Sequence, residues 1–368
     1  MLPNLIIKNY RNLSDLKIDS LSRVNLITGE NNTGKTALLE AISIYASLSS
    51  PIWVNWIYSI LSDRGEYFRD SSIGEDLTNK NLRFLSGLFT NHKIGYRKDD
   101  ALKIGSIEEA KSNQIFSLRL LQYTNAIAEE GIILERNGKK VIVEDDKSDS
   151  WILYSQKQFP LVIRELDRLR PASISIGDYK FQFVKTTDIG KYENPILWDN
   201  IALRPQEESV ISALQIINAD INRITFVVPD YYSGTNRFAA VTLKSNAERI
   251  FLQSMGDGIN RILTIILALV NAKDSYLLID EFENGLHYSV QEKLWEVIFK
   301  TAKELNVQVF ATTHSEDCVS AFSVVQRRYE EGAGQYIRLQ HNKQGNIVGV
   351  LYNTEELQIA TERDIEPR

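Results

Sequence analysis

GENNTGKT, Gly29 to Thr36, lies between the apolar run Val24-Asn25-Leu26-Ile27 and the segment ALLEAISIYASL. In the second segment Leu38, Ala41, Ile42, Tyr45 and Leu48 recur at helical spacing, so the context is strand, loop, helix. The eight residues match G-x-x-x-x-G-K-[ST] without a departure. Gly29 and Gly34 permit backbone angles and a close approach that a side chain would block. The loop residues Glu30, Asn31, Asn32 and Thr33, with the helix start through Ala37, then present successive amides to phosphate. Lys35 is expected to contact the β- and γ-phosphates of ATP as a point charge, and Thr36 to hold Mg²⁺.

A phosphate loop of this class also needs a metal carboxylate and a group that activates water. YLLIDEFENG supplies four apolar strand residues and then Asp280 and Glu281 at the strand's end. Asp280 is the candidate for the Mg²⁺ shell. Glu281, one residue on and turned differently, can accept a proton from attacking water. QVFATTHS ends another strand with His314, placed to hydrogen-bond the γ-phosphate or the lytic water, with Thr313 and Ser315 beside it. His92, His287 and His341 have no comparable context. In LQSMGDGINRIL, Ser254 and Gly256 offer a hydroxyl and a flexible backbone ahead of a helix N-terminus, a second anion site. Since Gly29–Thr36 already forms one phosphate cradle, this second site makes most sense pressed onto nucleotide held by another copy of the chain.

The remainder of the 368 residues bounds the answer. With 43% hydrophobic and 24% charged residues the chain can bury a large core, and its formal charge of −6 gives no global attraction to nucleic acid. One cysteine, Cys318, excludes an intrachain disulfide and suits a reducing cytosol. The opening MLPNLIIKNYRNLSDL is unlike a secretory signal, and no apolar run approaches the roughly 20 residues needed to span a bilayer. A cytoplasmic protein without a membrane association is expected.

Strands alternating with helices argue for an α/β fold with a largely parallel sheet covered on both faces. Residues 1–49 and 223–330 read as the P-loop core, 51–222 as an inserted mixed β and helical subdomain, and 331–368 as a C-terminal β-hairpin and tail. Within the insertion, Trp53, Trp56, Ile57 and Ile60 mark an amphipathic helix, and Asn137-Gly138 a hairpin turn. SISIGDYKFQFV, centred on Gly177-Asp178, is a second hairpin candidate, while FPLVIRELDRLR and EESVISALQIINADI read as helices.

Taken together, these motifs resemble the ABC-type ATPase heads that include the SMC-like and OLD-like (overcoming lysogenization defect) proteins. The likeness spans roughly 1–49 and 223–330: NYRNLSDLKID and VNLITGENNTGKT resemble the opening strands and Walker A loop, SMGDG the signature motif, IDEFENGLH Walker B with the D-loop, and ATTHS the switch histidine. The resemblance implies a P-loop NTPase head with a mixed, mainly parallel sheet, an antiparallel β subdomain and a helical insertion. It further implies two heads enclosing two ATP molecules, with Ser254 and Gly256 acting in trans and Asn284 near the seam. The OLD-like group includes proteins of phage defence and DNA metabolism, so the expected role is regulation of a separate nuclease or other effector, with DNA as a candidate ligand.

SMGDG departs from LSGGQ, and neither Gln114 nor Gln122 stands in a convincing glutamine-loop context. Fewer than 50 residues follow the segment ending near Phe322, too few for a TOPRIM domain of about 100 residues, so nuclease chemistry is not expected in this chain. Arg164, Arg168, Arg170, Lys139 and Lys140 permit nucleic-acid contact, although a solvated face is the commoner use of such residues. The alternatives are a transporter's nucleotide-binding subunit and a slow-turnover nucleotide sensor or scaffold.

Overall fold

The computed structural model describes residues 1–50, 53–64, 77–95, 97, 99–122, 135–136, 139–140, 151–155, 158–162, 179–186, 193–229 and 236–362. Its strands are β1 Leu5–Tyr10, β2 Leu13–Ile18, β3 Val24–Gly29, β4 Leu102–Gly105, β5 Phe116–Gln122, β6 Glu135–Arg136, β7 Lys139–Lys140, β8 Trp151–Ser155 and β9 Gln158–Val162. They continue as β10 Gln182–Val184, β11 Ile221–Val227, β12 Phe238–Leu243, β13 Ile250–Phe251, β14 Tyr276–Ile279, β15 Gln308–Thr312, β16 Gly334–His341 and β17 Ile347–Tyr352. We number the helices α1 Lys35–Ser47, α2 Trp53–Asp63, α3 Leu77–Ser86, α4 Ile107–Lys111, α5 Glu193–Asp199, α6 Pro205–Ile217, α7 Asp257–Asn271, α8 Tyr288–Glu304, α9 Glu316–Gln326 and α10 Thr354–Glu362.

The central sheet runs β10-β14-β15-β3-β16-β17. All neighbours through β16 are parallel, and β17 returns antiparallel on the edge. Side-chain alternation along these strands feeds two separate cores, as a pleat with period two requires. Val24, Leu26, Leu277, Ile279, Val309, Ala311 and Tyr336 enter one core, which they share with α5 through α9. Ile27, Leu278, Phe310, Ile337 and Leu339 enter the other, which α1 and the strands β1, β2, β4 and β5 close. Burial on both faces explains why β3, β14 and β15 read as continuous apolar runs rather than alternating ones.

A second sheet, β2-β1-β4-β5-β8-β9, is antiparallel throughout. Between them these two sheets give the α/β P-loop architecture expected from the sequence, antiparallel β unit included. Hydrogen bonding nevertheless crosses the sequence divisions drawn above. β10, from within 51–222, pairs with β14, and β16, from within 331–368, pairs with β3 beside the glycine loop. Both strands of the C-terminal hairpin therefore belong to the central sheet.

FPLVIRELDRLR is not helical at its start, because Gln158–Val162 is strand β9, paired with β8; its apolar Phe159, Leu161 and Val162 suit either form by composition. The rest of that segment, with Arg164, Arg168 and Arg170, lies outside the described residues. So do the turn residues Asn137-Gly138 and Gly177-Asp178, although β6 and β7 flank the first as an antiparallel pair. The described half of the second candidate, β10, pairs in parallel with β14. Among the described residues no helix is long and apolar enough to cross a membrane.

Candidate nucleotide site

Gly29 ends β3 while still paired with Leu339 of β16. A Cβ at Gly29 would sit 2.4 Å from the Leu339 carbonyl oxygen, and its φ of 144° lies where side chains are disfavoured. Gly34, at φ 85°, opens α1, and a Cβ there would lie 2.7 Å from Leu13 Cδ2. Both glycines are thus dictated by packing. Between them the loop is held from inside and outside. Thr33 Oγ1 donates to Glu30 O at 2.8 Å, and Asn12 Nδ2, from the β1–β2 turn, donates to Asn32 O at 2.8 Å. Glu30, Asn31 and Asn32 are exposed, whereas Thr33, Lys35 and Ala37 are buried.

Lys35 folds back over this loop. Its Nζ donates to Gly29 O at 2.7 Å and to Glu30 O at 2.8 Å. Burial pulls its pKa below the ordinary lysine value, and the carboxylates of Asp280, Glu281 and Glu283 oppose that shift. An anionic ligand in the loop would act in the same direction as those carboxylates, stabilising the charged ammonium.

The acidic pair arrives from β14, two strands away. Asp280 continues the strand, its N–H donating to Val184 O at 2.9 Å. Phe282 returns into the core, where its ring stacks on Trp295 at 4.1 Å between centroids. Glu281, between them, must turn sharply and takes φ 49°, a left-handed conformation that costs a residue with a side chain roughly 1–2 kcal/mol. Burying Phe282 fully is worth about 1.5–3 kcal/mol and offsets that cost. Thr312, at the end of β15, then holds both acids: its Oγ1 donates to Asp280 Oδ1 at 2.7 Å and accepts from Glu281 N at 2.9 Å.

Thr36 Oγ1 lies 3.2 Å from Asp280 Oδ2 and 3.4 Å from Oδ1. A hydroxyl and a carboxylate are hard oxygen donors of the kind Mg²⁺ takes. Their 3.2 Å spacing approaches the roughly 2.9 Å edge between neighbouring ligands of an octahedron with bonds of about 2.0–2.1 Å. The residues present fit the ion.

His314 is exposed beyond β15. Its segment is clamped by Glu283, whose carboxylate accepts from Thr313 Oγ1 at 2.6 Å and from His314 N at 2.8 Å. Ser315 Oγ accepts from Cys318 N and so caps α9. A cavity of about 300 Å³ opens between Gly29–Asn31 and Thr313–Glu316, with Thr28, Val319 and Tyr336 also lining it.

Ser254 and Gly256 stand apart from this cluster. Ser254 lies on a short 3₁₀ turn, its Oγ donating to Phe251 O at 2.7 Å, and both residues are exposed. No described hydrogen bond joins them to Gly29–Thr36. Gly258, at the start of α7, does approach the loop after Phe282: a Cβ there would lie 2.8 Å from Gly285 O. Asn284 is exposed there and donates from Nδ2 to Thr186 O at 3.0 Å. His287 caps α8 through Ser289. Gln114 follows α4 on the exposed surface, and Gln122 ends β5 in the antiparallel sheet.

Sequence reasoning passed over Asn12, Thr312, Glu283 and Arg261. Arg261 left a signal: a lone guanidinium within the very apolar stretch Ile259–Val270 must find buried partners. Thr312 and Asn12 left none, because each acts through a strand or turn remote in sequence from the group it holds.

A glycine loop at the end of a central parallel strand, with an acidic pair converging on it from the strand two places away in the same sheet, defines a P-loop ATPase. The model of the family described as "AAA domain, putative AbiEii toxin, Type IV TA system" matches residues 24–318, and the chain belongs to that family. It is 25% identical over 352 residues to a protein of Helicobacter pylori named ATP/GTP phosphatase, covering 89% of each chain. It is 23% identical over 229 residues to the DNA replication and repair protein RecF of Clostridium acetobutylicum, covering 52% of this chain and 63% of that one. Among solved structures, an SMC head bound to the C-winged helix domain of ScpA superposes with a TM-score of 0.52 at 13% identity, over 97% of this chain and 99% of that one. That last likeness is one of fold.

Proposed function

We propose that this chain binds ATP with Mg²⁺ in the Gly29–Thr36 loop, hydrolyses it, and closes with a second copy of itself around the nucleotide. The observation that carries this reading is the meeting of Thr36 with Asp280 at 3.2 Å, which puts the acidic pair at the mouth of the lysine loop. In this account Lys35 exchanges the Gly29 and Glu30 carbonyls for β- and γ-phosphate oxygens. Thr36 and Asp280 hold Mg²⁺, which neutralises charge on the phosphates. Glu281 orients the attacking water and takes its proton, and His314 hydrogen-bonds the γ-phosphate or that water. Exclusion of water and neutralisation of charge supply most of the rate.

Ser254 and Gly256, exposed and joined to the chain's own loop by no described hydrogen bond, complete the site of the partner copy. ATP then favours the closed pair only by its greater affinity for it, and loss of the γ-phosphate reopens the pair. The similarity to an ATP/GTP phosphatase supports turnover, and the similarity to RecF supports a role beside DNA. We assign the opening and closing to control of a separate effector, in bacterial DNA metabolism or phage defence.

The test is ATP turnover and ATP affinity for wild type and Lys35→Ala. Loss of one buried charged contact of this kind lowers affinity about 100-fold, and turnover should fall to background. A Lys35→Ala variant that hydrolyses ATP normally ends this reading.

A further inference from the structure

Helix α7 is buried along most of its length, and Arg261 is buried within it at 4% exposure. A guanidinium in such a place needs bonded partners. Those partners are backbone carbonyls at the ends of two strands. Nη1 donates to Lys185 O at 2.8 Å, one residue beyond β10. Nη2 donates to Asp280 O at 2.8 Å and to Glu281 O at 3.3 Å, immediately beyond β14. A planar fork can serve several carbonyls at fixed angles, which a lysine ammonium cannot reproduce.

Two further observations give this contact a consequence. Glu281 is the residue held at φ 49°, and its two peptide groups are gripped from opposite sides, the N–H by Thr312 and the carbonyl by Arg261. Helix α7 itself starts directly after Gly256, about 7.5 Å along the helix axis from Arg261. The loop that faces outward and the turn that carries the acidic pair are therefore joined by one rigid element and one side chain.

We propose that Arg261 is a positioning residue for hydrolysis. It holds the Asp280–Glu281 and Glu281–Phe282 peptides so that the Glu281 carboxylate is presented to water. Because it rides on α7, that presentation depends on how Ser254–Gly256 is seated against the second copy. This inference rests on the ATP-hydrolysing reading of the site and adds the element by which one head's signature loop acts on its own acidic turn.

The experiment measures kcat, KM and ATP affinity for Arg261→Lys and Arg261→Ala in the full chain, with melting temperature alongside. Both variants should lose at least about 30-fold in kcat while ATP affinity stays within about threefold, since Lys35 and Thr36 are untouched. Methylguanidinium should restore part of the turnover of Arg261→Ala and none of that of Glu281→Gln. Should Arg261→Ala fail to fold, Arg261→Lys keeps the charge and most of the packing and carries the test alone. Wild-type kcat in Arg261→Lys, or affinity and kcat falling together with no rescue, overturns the proposal and leaves the site reading intact. A wild type that does not turn over ATP sinks both.

Discussion

The two sets of residues proposed to act on ATP differ in how they are held. Lys35, Thr36, Asp280 and Thr312 are buried or half-buried and bonded to one another or to the loop they serve. Ser254, Gly256 and Asn284 are exposed, and Tyr288 beside them is 64% exposed. The first set is built by folding alone, because each member sits at the end of a strand or helix fixed by the two cores. The second set is attached to the same cores through α7 and α8 but turns its chemistry outward. On the proposed reading, folding prepares one half of a site, and the other half gains a substrate only against another surface.

That contrast predicts a graded series of effects. Glu281→Gln acts within the prepared half and at the chemical step, so turnover should fall by about 10²–10⁴-fold. Its ATP affinity should be kept, and a nucleotide-bound dimer should accumulate, visible as doubled mass in light scattering. A dimer-free, fully active Glu281→Gln would break the comparison at its strongest point. Ser254→Arg places bulk on the outward half. Turnover should fall by about 100-fold, the scale of a lost transition-state contact, while ATP affinity of the dilute chain is unchanged by calorimetry. Equal loss of affinity would mean that Ser254 serves its own loop. Thr312→Val removes one hydroxyl that bonds both Asp280 and the Glu281 amide. The cost should be about 1–2 kcal/mol, or roughly tenfold in turnover at saturating ATP. A silent Thr312→Val would show that Phe282 packing alone fixes the turn.

The same contrast explains what the sequence made legible. The loop Gly29–Thr36 is contiguous, and its pattern of two glycines, a lysine and a threonine has a local cause for every letter. Asp280 and Glu281 were legible for a related reason, since a four-residue apolar strand ends directly on them. The partners of these groups were not. Thr312 lies in β15 and Asn12 in the β1–β2 turn, and their bonds exist only because the sheet order brings them there. Glu283 was visible as one more acid in IDEFENG, yet its clamp on Thr313 and His314 depends on the Glu281 turn that Phe282 imposes.

The fold shows the same division. The parallel core followed from apolar runs alternating with helical periodicity. The place of β10 on that sheet's edge did not, because Gln182–Val184 is short and pairs with a strand almost a hundred residues away in sequence. FPLV at 159–162 has no periodicity that separates strand from helix, and only its pairing with β8 decides the matter.

The central claim is that one triphosphate lies in the Gly29–Thr36 loop with the acidic pair at its terminal end. A crystal structure of the chain with Mg²⁺ and a non-hydrolysable ATP analogue tests it most directly. The account predicts the analogue's β- and γ-phosphates on Lys35, the ion between Thr36 and Asp280, and Glu281 facing the γ-phosphate. Nucleotide bound elsewhere, or a metal ion with neither Thr36 nor Asp280 among its ligands, would contradict it.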